Sequence, residues 1–273
     1  MISPKTSVII STYNQPKWLE KVLWGFDMQT ESDFEIVIAD DGSTGETKQM
    51  IDFFKSNSKL KITHVWQEDN GFQKTMILNK AVQQAMADYL IFTDGDCIPR
   101  NDFIATHLKL RKPNSFLSGG YFKLPEDISR SIMKEDIEHQ NCFNVKWLLE
   151  KGLKKSFKLN KLSSFGLKER FLNTFTPTKA TFDGMNVSAW KDDILKVNGF
   201  DERMQYGGED REIGERLMNL GVKAIQARYS LICVHLHHDR PYKNEVSINF
   251  NQSIRKQTKS SRSAYTKFGI VKG

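Results

Sequence analysis

The first hundred residues alternate short β-prone runs with helical periods, and few folds accept that rhythm. Ser7–Ser11 is β-branched, and Pro16 then opens an amphipathic stretch with Trp18, Leu19, Val22, Leu23 and Phe26 at helical spacing. Phe34–Ala39 is the second run, followed by a helix whose expected apolar face is Met50, Ile51, Phe53 and Phe54. Leu60–Trp66, a helix over Lys74–Met86, and Tyr89–Phe92 complete the series. Strand–helix–strand repetition predicts a mainly parallel central sheet flanked by helices, with right-handed crossovers and ligands gathered at the strand C-termini.

Four carboxylates fall on that edge: Asp40 and Asp41 after the second strand, Asp94 and Asp96 after the fourth. Residues two apart in an extended backbone point to the same side, so Asp94 and Asp96 can converge on one hard cation while Gly95 admits a ligand close to the backbone. An ordinary Asp-Gly turn is the competing reading. The first turn, Ser11-Thr12-Tyr13-Asn14-Gln15, carries neither Gly-x-Gly-x-x-Gly nor a Walker loop. This argues against a dinucleotide-binding enzyme or a P-loop NTPase.

Composition narrows the setting. Three widely spaced cysteines argue for a reducing compartment rather than a disulfide framework. No apolar run approaches the roughly 20 residues that span a bilayer, and the chain enters its first strand without a signal-peptide pattern, so a cytoplasmic protein is expected. A net charge of +7 points to an anionic partner.

From about Pro125 to Thr178 the rhythm stops. Lys146–Lys179 holds nine basic residues against Glu150 and Glu169, interleaved with bulky apolar ones. It reads either as a helical insertion with a solvated face or as a surface for anionic membrane or an anionic acceptor. Further on, Asp183-Gly184-Met185-Asn186, a helix over Arg211–Leu220 preceded by Gly207-Gly208-Glu209-Asp210, and two strands (Val222–Gln226, Leu231–Leu236) resume the globular pattern. Half of the six histidines sit in His235-Leu236-His237-His238, the second half of a candidate metal site. Carboxylates plus imidazole suit Mn2+, with Mg2+ as the alternative. The basic tail from Asn251 lacks a sustained apolar period and is expected to be mobile.

Three motifs in order, Ser7-Val8-Ile9-Ile10-Ser11-Thr12-Tyr13-Asn14, Ile38-Ala39-Asp40-Asp41-Gly42-Ser43 and Thr93-Asp94-Gly95-Asp96, resemble the N-terminal half of a family 2 glycosyltransferase of the nucleotide-diphospho-sugar transferase (GT-A) fold. Gly199-Phe200-Asp201, Gly207-Gly208-Glu209-Asp210 and His238-Asp239-Arg240…Lys243-Asn244-Glu245 resemble a galactosyltransferase-like catalytic block. The resemblance implies residues 1–100 as a nucleotide-sugar half, 101–250 as the acceptor and catalytic half with a basic helical insertion at about 125–180, and 251–273 as a tail.

It also implies roles. Asp210 is the general base, and Glu209 binds a sugar hydroxyl. Acids in a first helical turn also favour the macrodipole with no catalytic role. Thr12, Tyr13, Asp40, Asp41, Gln73, Lys74, Asp94 and Gly95 hold the nucleotide sugar, with Asp40 the choice for the base. Asp183, Gly184, Asn186, Gly207 and Gly208 form the sugar loop, and Asp94, Asp96, His235 and His238 hold the metal, His237 being the weakest candidate. Trp66 and Trp190 are expected in the core.

The implied activity is inverting transfer from a UDP-sugar to a saccharide or lipid-linked saccharide of a surface glycan such as lipopolysaccharide core or capsule, with peripheral contact to anionic membrane and no nucleic acid. A sugar-nucleotide pyrophosphorylase and a basic nucleic-acid binder are the rivals. The first needs a Gly-rich phosphate loop, and the second leaves the Asp/His/Glu-Asp set idle.

Overall fold

Thr6–Thr12 (β1) is buried at every position, because it is an interior strand of a sheet covered on both faces. The computed structural model describes residues 3–239 and 242–273, so Arg240 of the C-terminal motif lies outside the described residues. The other strands are Phe34–Asp40 (β2), Ile62–Trp66 (β3), Tyr89–Asp94 (β4), Cys97–Pro99 (β5), Ser115–Ser118 (β6), Gly120–Lys123 (β7), Asn186–Trp190 (β8), Lys223–Gln226 (β9) and Ile232–His235 (β10).

The large sheet runs β3-β2-β1-β4-β8-β6-β9. Its first four strands are parallel, and β8 pairs antiparallel with both β4 and β6. Period-two alternation sorts the apolar side chains to opposite faces. Val8, Ile10, Ile36, Ile38 and Ile91 join one apolar cluster, and Ile9, Val37, Ala39, Leu90 and Phe92 join another.

The Pro16–Asp27 helix seals the first face with Leu19, Val22, Leu23 and Phe26. Lys74–Gln84 seals the second with Ile77, Leu78, Ala81 and Val82. Each such side chain taken fully out of water contributes roughly 1.5–3 kcal/mol. In the Gly45–Asn57 helix the buried positions are Thr47, Ile51 and Phe54. Phe53, expected on that face, is 60% exposed, since a residue turns about 100° from its neighbour.

A second sheet, β5-β10-β7, positions the chemistry. After Asp94 the chain turns through Gly95 and Asp96 and enters β5 at once, so Asp96 stands at the junction of the two sheets. The β10–β5 register places His235 opposite Cys97, and Leu236 N–H donates to the Asp96 carbonyl at 2.8 Å. The strand edge of one sheet thereby meets the histidines of the other.

The 125–180 region is helical as expected, with segments Glu126–Ser131, Lys134–Glu138, Val145–Glu150, Asn160–Ser163 and Gly166–Phe175. Its first part is tied to the core by Ile128, Ile132, Ile137 and Leu148, and by Lys21, whose Nζ donates to the carbonyls of Ser129 and Arg130. The chain end is not the mobile tail expected. Glu245–Ser261 is a helix that buries Asn251, Ile254 and Thr258, and Asn198 then holds the last residues through bonds with Thr266, Ile270 and Val271.

Candidate active site

A cavity of about 950 Å³ opens at the C-terminal edge of β1, β2 and β4 and continues to the end of β10. Helix termini and loops close its other sides, as expected where a parallel sheet ends.

A metal-like cluster on its lining is Asp96, His235 and His238. Asp96 Oδ2 lies 3.1 Å from His238 Nε2 and 3.9 Å from His235 Nε2, and the two imidazoles stack with centroids 5.3 Å apart. His238 Nδ1 is 2.8 Å from the Asp239 carbonyl, which can only accept, so Nδ1 donates there and Nε2 is the atom turned toward Asp96. At 3.1 Å, Nε2 and the carboxylate oxygen are held together by a shared proton or a cation. His235 is buried, and its Nδ1 has no hydrogen-bond partner.

One carboxylate and two imidazoles, one of them with a buried nitrogen that has no partner, fit a divalent cation. Cys97 Sγ is also close, but it donates to Asp96 Oδ1 at 3.3 Å. Burial, together with the neighbouring Cys233 and acidic groups, pushes its thiol well above the usual range, which makes it a support rather than a ligand.

Asp94 faces a different partner. Its Oδ1 accepts from Ser11 Oγ and Lys74 Nζ, both at 2.6 Å. Burial works to raise its pKa, but Lys74 and Ser11 outweigh this and hold the carboxyl below its ordinary value. The four expected metal residues thus divide: Asp96, His235 and His238 meet one another, while Asp94 is neutralised by lysine. Lys74, at the first position of its helix, is turned into the cavity rather than to solvent. Burial opposes its charge, yet Asp94, Glu209 and Asp210 hold the ammonium above its usual range.

Glu209 and Asp210 begin the Glu209–Asn219 helix, after Gly207 and Gly208 at φ of +118° and +90°. Only glycine takes up such a pair of conformations without strain, and the turn aims both carboxylates at the cavity. Asp210 Oδ2 accepts from Gly184 N–H at 3.1 Å, and Glu209 Oε2 accepts from Gly207 N–H at 2.9 Å. Burial first, then the Asp210 charge, pushes Glu209 up to about 7. Asp183, on the facing loop, is pushed up to about 6 by burial and by Asp210 and Asp94. Three of these carboxylates, Asp94, Glu209 and Asp210, act on the one Lys74 ammonium.

Asp40, Gln73 and Asn186 do not line the cavity, and neither does the weakest metal candidate, His237. Asp40 is 1% exposed and accepts from Ser43 N–H at 2.8 Å, with His64 Nε2 2.9 Å from its other oxygen. The carboxylate that reaches the cavity is its neighbour Asp41, held by Gln67 Nε2 at 2.6 Å and Gln73 N–H at 2.9 Å and pushed up to about 6 by burial. Gln73 acts here through its backbone. Asn186 is buried and clips the sheets together, donating to the Gly120 and Leu231 carbonyls and meeting His107 Nε2. His237 lies outside the cavity, 4.0 Å from Glu126. Trp66 is 52% exposed rather than in the core, whereas Trp190 packs on Tyr89.

The remaining expected residues, Thr12, Tyr13, Gly95, Gly184, Gly207 and Gly208, line the cavity. Thr12 Oγ1 is buried without a partner, and Tyr13 donates its hydroxyl to Asp69 at 2.8 Å.

The sequence reading missed an aromatic wall and a helix. Phe72, Tyr206 and Tyr242 meet with ring centroids 4.9–5.8 Å apart on the cavity lining. Ile248, Gln252 and Arg255 come from the C-terminal helix, and Arg255 is fixed by Glu215. Tyr206 directly precedes the Gly207-Gly208 turn, the one local sign available.

Comparison with known proteins agrees with this architecture. The model of "Glycosyl transferase family 2" matches residues 7–143, and that of "N-terminal domain of galactosyltransferase" matches 173–239. Validoxylamine A glucosyltransferase of Streptomyces hygroscopicus subsp. jinggangensis is 29% identical over 266 residues, covering 93% of this chain and 61% of that protein. Chondroitin synthase of Escherichia coli is 27% identical over 225 residues, 79% of this chain and 32% of that one. The chain spans about three fifths of the length of the first curated relatives it matches.

Among solved structures, a mannosyltransferase from Pyrobaculum calidifontis in complex with GDP-Man and Mn2+ superposes with a TM-score of 0.58 at 19% identity, covering 96% of this chain and 63% of that one. S. aureus TarS 1-349 in complex with UDP-GlcNAc also gives 0.58, at 17% identity, over 87% and 60%. At such identities the likeness is one of fold, and the fold is GT-A.

Proposed function

The chain belongs to glycosyl transferase family 2, and from that premise we propose that it moves a sugar from a UDP-sugar to a saccharide acceptor, with inversion and with a divalent metal, Mn2+ before Mg2+. Family membership sets aside the pyrophosphorylase and nucleic-acid-binder readings. The observation that carries the proposal is one cavity holding a cation-ready cluster, Asp96 with His235 and His238, and a separate acid pair, Glu209 and Asp210. Glycosyl transfer needs both: the diphosphate leaving group must be neutralised and the acceptor hydroxyl deprotonated.

When bound at Asp96, His235 and His238, the metal supplies positive charge to the diphosphate. The protein's own residues do the rest. Asp41 and the Tyr13 ring border the place for the nucleoside at the β1–β2 edge, and Asp94, with Lys74 against it, accepts from sugar or ribose hydroxyls. Asp210, fixed by Gly184 N–H, removes the proton of the acceptor hydroxyl as that oxygen forms its bond to the anomeric carbon. UDP departs with the bonding electron pair from the opposite face, so a single displacement inverts the centre. The resemblance that assigns the base to Asp210 leaves Glu209 the sugar-binding role. Its carboxyl retains a proton near neutrality, which suits it to hold a sugar hydroxyl. The Phe72, Tyr206 and Tyr242 wall gives the acceptor an apolar surface.

The finer reading is an acceptor that is a growing, lipid-linked surface glycan, met at the cytoplasmic face of a membrane. The basic 146–179 region supports it, and among the described residues no helix is long and apolar enough to cross a membrane. A panel of nucleotide sugars tested for slow hydrolysis with Mn2+, with and without EDTA, tests the activity. Turnover of a UDP-sugar that EDTA abolishes is expected, and a chain inert toward every nucleotide sugar contradicts the proposal.

A further inference from the structure

The Gly166–Phe175 helix is amphipathic in the wrong direction for a helix of a soluble domain. Leu167, Phe171 and Phe175, spaced four apart on one face, are 83%, 60% and 68% exposed. The opposite face is polar and docks on the protein. Ser230 Oγ donates to the Glu169 carboxylate, Asn173 Nδ2 donates to Ser230 Oγ at 2.8 Å, and Asn173 Oδ1 accepts from Tyr229 N–H at 2.9 Å. No residue of this helix is buried. The preceding segment adds two more outward rings, Phe157 and Phe165, at 74% and 63% exposure.

A globular protein normally turns such side chains inward, and a patch this apolar marks a surface that something covers. The surrounding charge says what. Lys168 and Arg170 are exposed on the same helix, and Lys154, Lys155 and Lys158 in the segment that precedes it. The two acids of the region are engaged, Glu169 with Ser230 and Glu150 beside Lys146. Bulky exposed apolar side chains in a segment with an excess of exposed cations match a bilayer whose headgroups are anionic and whose acyl boundary takes up Leu and Phe without shape complementarity.

We propose that the Gly166–Phe175 helix is an interfacial anchor, laying Leu167, Phe171 and Phe175 into the boundary of an anionic membrane while the flanking lysines sit on its headgroups. The anchor takes its purpose from the proposed lipid-linked acceptor, but its binding is measured without acceptor or donor. The apolar stripe, rather than charge alone, sets the affinity. It also stands apart from the cavity, to which none of these residues contributes.

Flotation of the full chain with vesicles of phosphatidylcholine alone, and of phosphatidylcholine mixed with phosphatidylglycerol, tests this at low salt. The wild type is expected to float only with the mixed vesicles. The combined Leu167→Ser, Phe171→Ser, Phe175→Ser variant is expected to bind at least about tenfold more weakly. Lys154→Gln, Lys155→Gln, Lys158→Gln is expected to bind less and to lose most of the salt dependence.

A Phe171→Trp probe should shift its emission to the blue on mixed vesicles. These sites are exposed, so the variants are expected to fold, and the serine variant should keep any UDP-sugar hydrolysis of the wild type in solution. That readout separates failure of the anchor from failure of the proposed activity. Wild-type protein that ignores mixed vesicles overturns the proposal, as does a serine variant that floats like wild type. A wild-type dimer that the serine variant dissolves also overturns it, because a second copy then covers the face.

Discussion

The β2 and β4 edges end in the same way, a buried apolar strand running out into two closely spaced aspartates, yet the two ends are used differently. At β2 both carboxylates are saturated by the protein: Asp40 by Ser43 and His64, Asp41 by Gln67 and Gln73. At β4 Asp94 is saturated, by Ser11 and Lys74, while Asp96 takes only the Cys97 thiol as a neutral donor and faces the imidazoles of His238 and His235, whose Nδ1 has no partner. A saturated acid shapes a pocket, whereas an unsaturated cluster asks for a ligand. The difference arises from the second sheet, which delivers histidines to one edge only.

The largest expected effect is at that unsaturated end. Asp96→Ala should abolish Mn2+-dependent UDP-sugar turnover, while Asp40→Asn, at the matching place on β2, should leave KM for the donor nearly unchanged and lower the melting temperature instead. Steady-state kinetics and thermal melts of the two variants break the comparison if their effects are interchanged.

Next in size is the acid pair on the far wall. Asp210→Asn should keep UDP binding and lower transfer by roughly a hundredfold or more, the scale of lost general-base catalysis. A dead Glu209→Gln beside a near-normal Asp210→Asn reverses the two roles.

A smaller effect is expected at the saturated Asp41. Asp41→Asn keeps the shape and two polar atoms, so UDP affinity should fall by no more than about tenfold, the worth of one charge-assisted hydrogen bond. Loss as complete as that of Asp96→Ala would erase the distinction between the edges.

The smallest effect is on stability. Glu209 is pushed up to about 7 in the folded chain from an ordinary 4.5, so its ionisation costs the native state. The folded state then binds more protons than the unfolded one between about pH 4.5 and 7, and stability falls as pH rises through that window. Glu209→Gln should therefore stabilise the protein at pH 8 by on the order of 1–3 kcal/mol, with the gain gone below about pH 4.5. Equal melting gains at both pH values contradict the burial argument.

What was legible in the sequence was local. Strand runs, the edge on which carboxylates gather, and the Gly207-Gly208 turn into Glu209-Asp210 follow from period and backbone conformation alone. Choosing between Asp40 and Asp41 was not legible, because a one-residue step flips which side chain enters the sheet interior, and His64 on a neighbouring strand decides it. The division of Asp94 from Asp96 depends on Lys74, twenty residues earlier in the chain. Asn186 sits within a sugar-loop motif, yet the carbonyls of Gly120 and Leu231 take its amide. The C-terminal helix was hidden because its buried positions are Asn251, Ile254 and Thr258, two of them polar, so no apolar period announces it. Its polar residues are bound by partners far away in sequence, Asn251 to the Gln205 carbonyl and Thr258 to Glu212.

The central claim is that Asp96, His235 and His238 hold a divalent ion on which donor binding depends. Calorimetric titration of UDP into wild type and His238→Ala, each with Mn2+ and then with EDTA, tests it most directly. Wild type is expected to bind UDP tightly only with Mn2+, and His238→Ala to bind weakly under both conditions. A His238→Ala variant whose UDP affinity still rises with Mn2+ as in wild type would contradict it.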